Sequence, residues 1–79
     1  MQAHQQRVID EQGEVGTFLS TTRDRATKLD AFFGSSLFKG LPQDEQGRLF
    51  RQLAIMITTI FALTEYTTVL EARIQNFPE

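Results

Sequence analysis

The chain has no cysteine and no tryptophan, two prolines, one histidine and one tyrosine. Without cysteine there is no disulfide framework, no thiolate zinc site and no thiol nucleophile. Eight Lys+Arg against ten Asp+Glu give a net charge of -2. That balance lacks the basic excess with which proteins neutralise a nucleic-acid backbone. Residues 1–14 contain no apolar run, so nothing there reads as a secretory signal. The apolar stretch 53–63, interrupted by Thr58 and Thr59, falls short of the ~18–20 residues that a bilayer span needs. These absences predict a small soluble cytoplasmic domain with no metal, no cofactor, no nucleic-acid partner and no membrane partner.

What the chain does have is 79 residues, 41% of them hydrophobic, including seven phenylalanines. A chain this short buries roughly 60–65% of the surface that it exposes when unfolded, which makes one domain, 1–79, with a thin core. Its breakers fall in two clusters, Gly34-Ser35-Ser36 and Gly40-Leu41-Pro42, with room between them for one turn at Leu37-Phe38-Lys39. Two long helices follow from this punctuation, helix 1 near 4–33 and helix 2 near 42–77, joined by a connector at 34–41.

Helix 2 is the more strongly written. Pro42 suits the first helical position, and Asp44 and Glu45 suit the positive end of the helix dipole. Leu49, Leu53, Met56, Ile60, Leu63, Thr67, Leu70, Ile74 and Phe77 then recur at spacings of four and three, a sustained heptad seam. In helix 1, Val8, Val15, Leu19, Thr22, Ala26, Leu29 and Phe33 make a weaker stripe of the same period. Gly13 and Gly16 each weaken a helix by ~1 kcal/mol, so a bend or fray is expected near 12–17. Gly34 is the expected C-cap. The expected fold is all-α, a long antiparallel helical hairpin.

Around the wheel, residues 53–63 are apolar on more sides than one partner helix can cover. Ala54, Ile57 and Phe61 form a stripe beside the seam, and Ile55 and Ala62 lie on a further face. The expectation is a homo-oligomeric helical bundle, a dimer or higher. Its interface is expected at Leu53, Ile55, Met56, Ile57, Ile60, Phe61 and Leu63.

Chemistry-bearing residues are few. His4 stands alone and reads as solvated, and one imidazole per chain supplies no metal site. Asp10, Glu11 and Glu14 read as residues favouring the start of helix 1. Thr58, Thr59, Thr64, Thr67 and Thr68 read as hydroxyls bonded back to the helix. There is no Gly-rich phosphate loop, no Ser/His/Asp arrangement and no acid–base dyad, so an enzyme is not expected. Arg23, Arg25, Lys28, Arg48 and Arg51 all fall in the half of the hairpin near the connector. Interspersed Asp24, Asp30, Asp44 and Glu45 make a salt-bridged surface the ordinary reading. The alternative is an anion pocket, since the planar guanidinium suits phosphate. Phe32, Phe50 or Tyr66 would then stack on a base.

Two groups of residues carry a resemblance. The strings HQQRVIDE at 4–11 and KLDAFF at 28–33 lead into Phe38 and Leu41-Pro42, with Glu45-Gln46, Leu49, Gln52-Leu53, Met56, Tyr66, Leu70 and Arg73-Ile74 following. Over 4–77 the chain resembles a family of very small tailed-phage and prophage proteins of unknown function, named after a member from a crAss-like phage. Two stretches, near 15–22 and 57–63, look one heptad longer than that pattern, which lengthens both arms together by ~10 Å. The resemblance implies a phage setting but no activity. With it, the expected function is binding of a nucleotide immune signal, a cyclic nucleotide held between protomers, to counter bacterial anti-phage defence. The alternatives are direct inhibition of a host defence protein, in the manner of anti-CRISPR proteins, and a structural spacer.

Overall fold

The computed structural model describes residues 2–78, so Met1 and Glu79, the ends of the expected 1–79 unit, lie outside the described residues. The chain is all-α, with no strand among the described residues. It contains α1 (Ala3–Phe32), α2 (Ser36–Lys39) and α3 (Gln43–Gln75). Its Cα extents are 59 × 15 × 14 Å, long in one direction and narrow in the other two.

α1 packs on α3. Gln5 Nε2 donates to the Pro78 carbonyl, Arg23 reaches Thr64, and the Phe33 ring meets Phe50. Partner numbers therefore fall on α3 as they rise on α1. The seam expected on α3 faces α1 along its whole length: every position from Leu49 to Phe77 in the series is half-buried, and Leu70 is buried to 1% exposure. On α1 the buried set is Val8, Leu19, Thr22 and Ala26, with Gln5 added. Thr22 is accommodated because its hydroxyl donates to the Phe18 carbonyl at 2.8 Å.

Three local expectations are corrected. α1 runs unbroken through Gly13 and Gly16. The ~2 kcal/mol that the two glycines cost together is outweighed by the seam on either side. Gly34 is not a left-handed cap. The C-cap is Phe33 in the right-handed region, and no glycine has positive φ among the described residues. The chain turns instead at Ser35, whose hydroxyl donates to the Phe32 carbonyl at 2.7 Å and accepts from the Phe38 N–H at 3.2 Å. Finally, Asp10, Glu11 and Glu14 do not open α1, which begins at Ala3. Its first turn is closed by Gln5, whose Oε1 accepts from the Gln2 backbone N–H at 2.8 Å.

The connector is built around Phe38. This buried ring contacts Phe32 at 5.9 Å, Phe33 at 4.8 Å and Phe50 at 5.4 Å between centroids. Such tilted and edge-to-face pairs add to the gain from burial alone. Gln46 of α3 reaches back, its Nε2 donating to the carbonyls of Leu41 at 2.9 Å and Phe38 at 3.2 Å. The Leu41 carbonyl, which the short connector would leave open, is thereby satisfied, while the Phe38 carbonyl also accepts from the Leu41 N–H at 3.1 Å.

Candidate functional site

All five threonines of α3 bond back to the carbonyl four residues earlier, at 2.7–3.1 Å. Their hydrogens are spent, so toward a ligand or a neighbour these hydroxyls act as acceptors. Thr64 does so already, accepting from Arg23 Nη2 at 3.4 Å.

The cations expected in one pocket occupy separate places on the single chain. Arg48 and Arg51 line an open groove on α3 with Gln52, Ile55 and Met56. Arg48 is held in part by Glu45 at 2.9 Å and Asp44 at 3.6 Å. Arg51 has no carboxylate at ion-pairing distance among the described residues. Arg25 lies in a different groove on α1, with Asp10, Glu14 and Phe18. Lys28 pairs with Asp24 at 3.0 Å. These are exposed one-turn pairs worth no more than ~1 kcal/mol each, so Arg48 and Lys28 fit the salt-bridged surface that their spacing also allowed.

Tyr66 stands apart from the arginines. It is 15 residues along α3 from Arg51, ~22 Å at 1.5 Å per residue. The Glu11 carboxylate faces its hydroxyl as an acceptor and raises the phenol above its ordinary titration point. Loss of solvent and the negative charge of Glu11 act in the same direction, while Arg73 opposes them. Phe32 and Phe50, expected as stacking platforms, are instead engaged with Phe38 and Phe33.

The expected oligomer interface divides in two. Leu53, Met56, Ile60 and Leu63 are half-buried in the α1–α3 seam. Ile55, Ile57 and Phe61 remain exposed, Phe61 to 70%. Phe18, Phe50 and Val69 are further exposed large hydrophobic residues, at positions that flank the seams or lie off them. α3 is also long and apolar enough, by length and composition, to cross a membrane. The 53–63 run alone falls short of that. The whole helix reaches it because Thr64, Tyr66, Thr67, Thr68, Val69 and Leu70 extend the run with Glu65 as the one charge.

His4 is exposed, and no group of three His, Asp or Glu side chains among the described residues could hold a metal ion. The chain offers open grooves edged by arginine and floored by aliphatic side chains, an arrangement suited to binding. No curated protein and no solved structure matches the chain. Over residues 2–76, nearly all of what is described, it matches Sequestin, and the chain belongs to the Sequestin family.

Proposed function

We propose that the chain is a non-enzymatic sequestering protein: antiparallel helical hairpins associate, and a small nucleotide-type ligand is held in clefts between protomers. Membership of the Sequestin family carries this reading, since the family name describes sequestration. The Arg48–Arg51 groove supports it. There Arg51, with no carboxylate partner among the described residues, stands beside Ile55 and Met56, a charged edge for phosphate and an apolar floor for a base. Arg25, Lys28, Arg23 and Tyr66 would join the site only from another copy, because one chain keeps them apart. The setting proposed is the cytoplasm of a bacterium under phage attack, where removing a cyclic nucleotide signal would silence a defence system.

Thermal shift against cyclic dinucleotides, cyclic trinucleotides and cyclic ADP-ribose isomers tests this. A ligand at 100 times its Kd adds about 2.7 kcal/mol to the native state, about 10 °C or more for a chain of this size. No stabilisation by any of them would sink the reading. A second reading, direct inhibition of a host defence protein, is favoured by the exposed Phe18, Ile55 and Phe61. Retention of one defence component from host lysate, together with an empty nucleotide screen, would select it.

A further inference from the structure

One side of the helix pair carries a second pattern beside the seam. On α3 it runs Phe50, Ile57, Phe61, Thr64 and Thr68, and on α1 Gly13, Gly16, Ser20, Arg23 and Thr27, again at helical spacing. The two rows share that side, because Arg23 bonds to Thr64, and Thr27 and Ile57 line one hollow.

The side changes character along its length. Toward the connector it is bulky and apolar, with Phe50, Ile57 and Phe61 exposed. Toward the chain ends it is small and concave, where Gly13, Gly16, Thr17, Ser20 and Thr67 line an open groove. A Cβ added at Gly13 or Gly16 would meet nothing within 4 Å. Packing within the chain thus gives no reason for glycine at either of these helix-weakening positions.

We infer that a second copy of the chain docks on this side about a two-fold axis, with Phe61 and Ile57 of each copy seated against the Gly13–Gly16 groove of the other. Knobs and groove lie about 15 Å apart along the pair, at 1.5 Å per residue, with Ser20 midway. A two-fold axis near Ser20 brings each onto its complement, as an isologous contact requires. A side 59 Å long and 15 Å wide presents about 900 Å², against the ~800 Å² that each partner contributes to a standard interface. Arg23 and Asp30 on the same side are costly against lipid tails but can be bonded within a protein interface. This inference rests on the self-association in the proposed function and not on its ligand.

Light scattering without nucleotide, joined to circular dichroism, is the test. The wild-type chain is expected at twice 9.0 kDa or an even multiple. Gly16→Leu and Phe61→Lys are expected to halve that mass while keeping the helical signal. Leucine is a better helix former than glycine, so its effect is not one of unfolding. Val69→Lys, off both rows, is expected to leave the mass unchanged. Because the chain has no cysteine, Gly16→Cys and Phe61→Cys proteins, mixed and oxidised, should cross-link to each other. A monomeric wild type, a mass sensitive to Val69→Lys but not to Gly16→Leu, or capture by phosphatidylcholine–phosphatidylglycerol vesicles in place of dimerisation would each overturn the inference. A dimer through another face would leave the proposed oligomer standing, and an empty nucleotide screen would leave this dimer standing.

Discussion

Tyr66 on α3 faces Glu11 on α1, whose carboxylate, as an acceptor and a negative charge beside the phenol, raises Tyr66 above its ordinary value of 10.0. That carboxylate favours the phenol only while it keeps its proton. A raised native-state pKa means that folding favours the protonated form. The contribution is therefore complete below 10.0 and is lost as pH rises through the higher native value. Tyrosinate absorbance should titrate above 10.0 in the folded chain, and Glu11→Gln should move the midpoint back toward it. Tyr66→Phe should unfold at a midpoint less sensitive to pH in that range. An unshifted wild-type titration would dissolve the pair.

Leu70 is the most deeply buried side chain in the seam, at 1% exposure. Leu70→Ala should cost about 2–5 kcal/mol, the transfer of its methyl groups plus the cavity left behind. Against the ~5–15 kcal/mol that holds a small domain together, that is a large share. Urea denaturation followed by circular dichroism would show it as a lower midpoint with little change in slope. Ala72→Ser, on the exposed surface two residues away, should fall within about 0.5 kcal/mol of wild type.

The contrast between these two residues shows which features were legible. Leu70 was marked by periodicity, because a helix repeating at 3.6 residues writes its buried stripe into spacings of three and four. The same logic gave the all-α class, the seam and both breaks in the chain. Glu11–Tyr66 was not marked, since which carboxylate meets which phenol depends on the register between helices 55 residues apart in sequence. The Phe38 cluster escaped for a similar reason. Its ring partners come from α1 and α3 together and only the turn assembles them. For the arginines, proximity to the connector is a position along the axis. Position along the axis does not say which way a side chain leaves the helix, and a rotation of 100° per residue sends Arg23 toward Thr64 and Arg25 into the groove with Asp10 and Phe18.

Gln46 ties α3 to the connector through the carbonyls of Leu41 and Phe38. Gln46→Leu keeps the bulk and removes the donor. The loss should be about 1–3 kcal/mol, since the Leu41 carbonyl then loses its donor while the Phe38 carbonyl keeps the Leu41 N–H. Amide hydrogen exchange would locate the effect: protection should fall in residues 38–46 and hold in 60–74. Uniform loss across α3 would mean that the latch governs the whole chain and not its turn.

Gly47 lies inside α3 with no heavy atom within 4 Å of where a Cβ would stand. Helical backbone there suits alanine, and the substitution removes conformational freedom mainly from the unfolded chain. Gly47→Ala should therefore add about 0.5–1 kcal/mol, raising Tm by several degrees. The residue also sits off the two rows that carry Gly13, Gly16 and Phe61, so the gain should come with no change in mass by light scattering. Gly16→Ala offers the informative comparison. The same helix-forming gain applies within one chain, but a methyl group then occupies the groove proposed for Phe61. If both alanines stabilise equally and neither weakens association, the glycines have no role in docking. If Gly47→Ala stabilises while Gly16→Ala makes Tm fall more steeply on dilution, the groove is where the second copy sits.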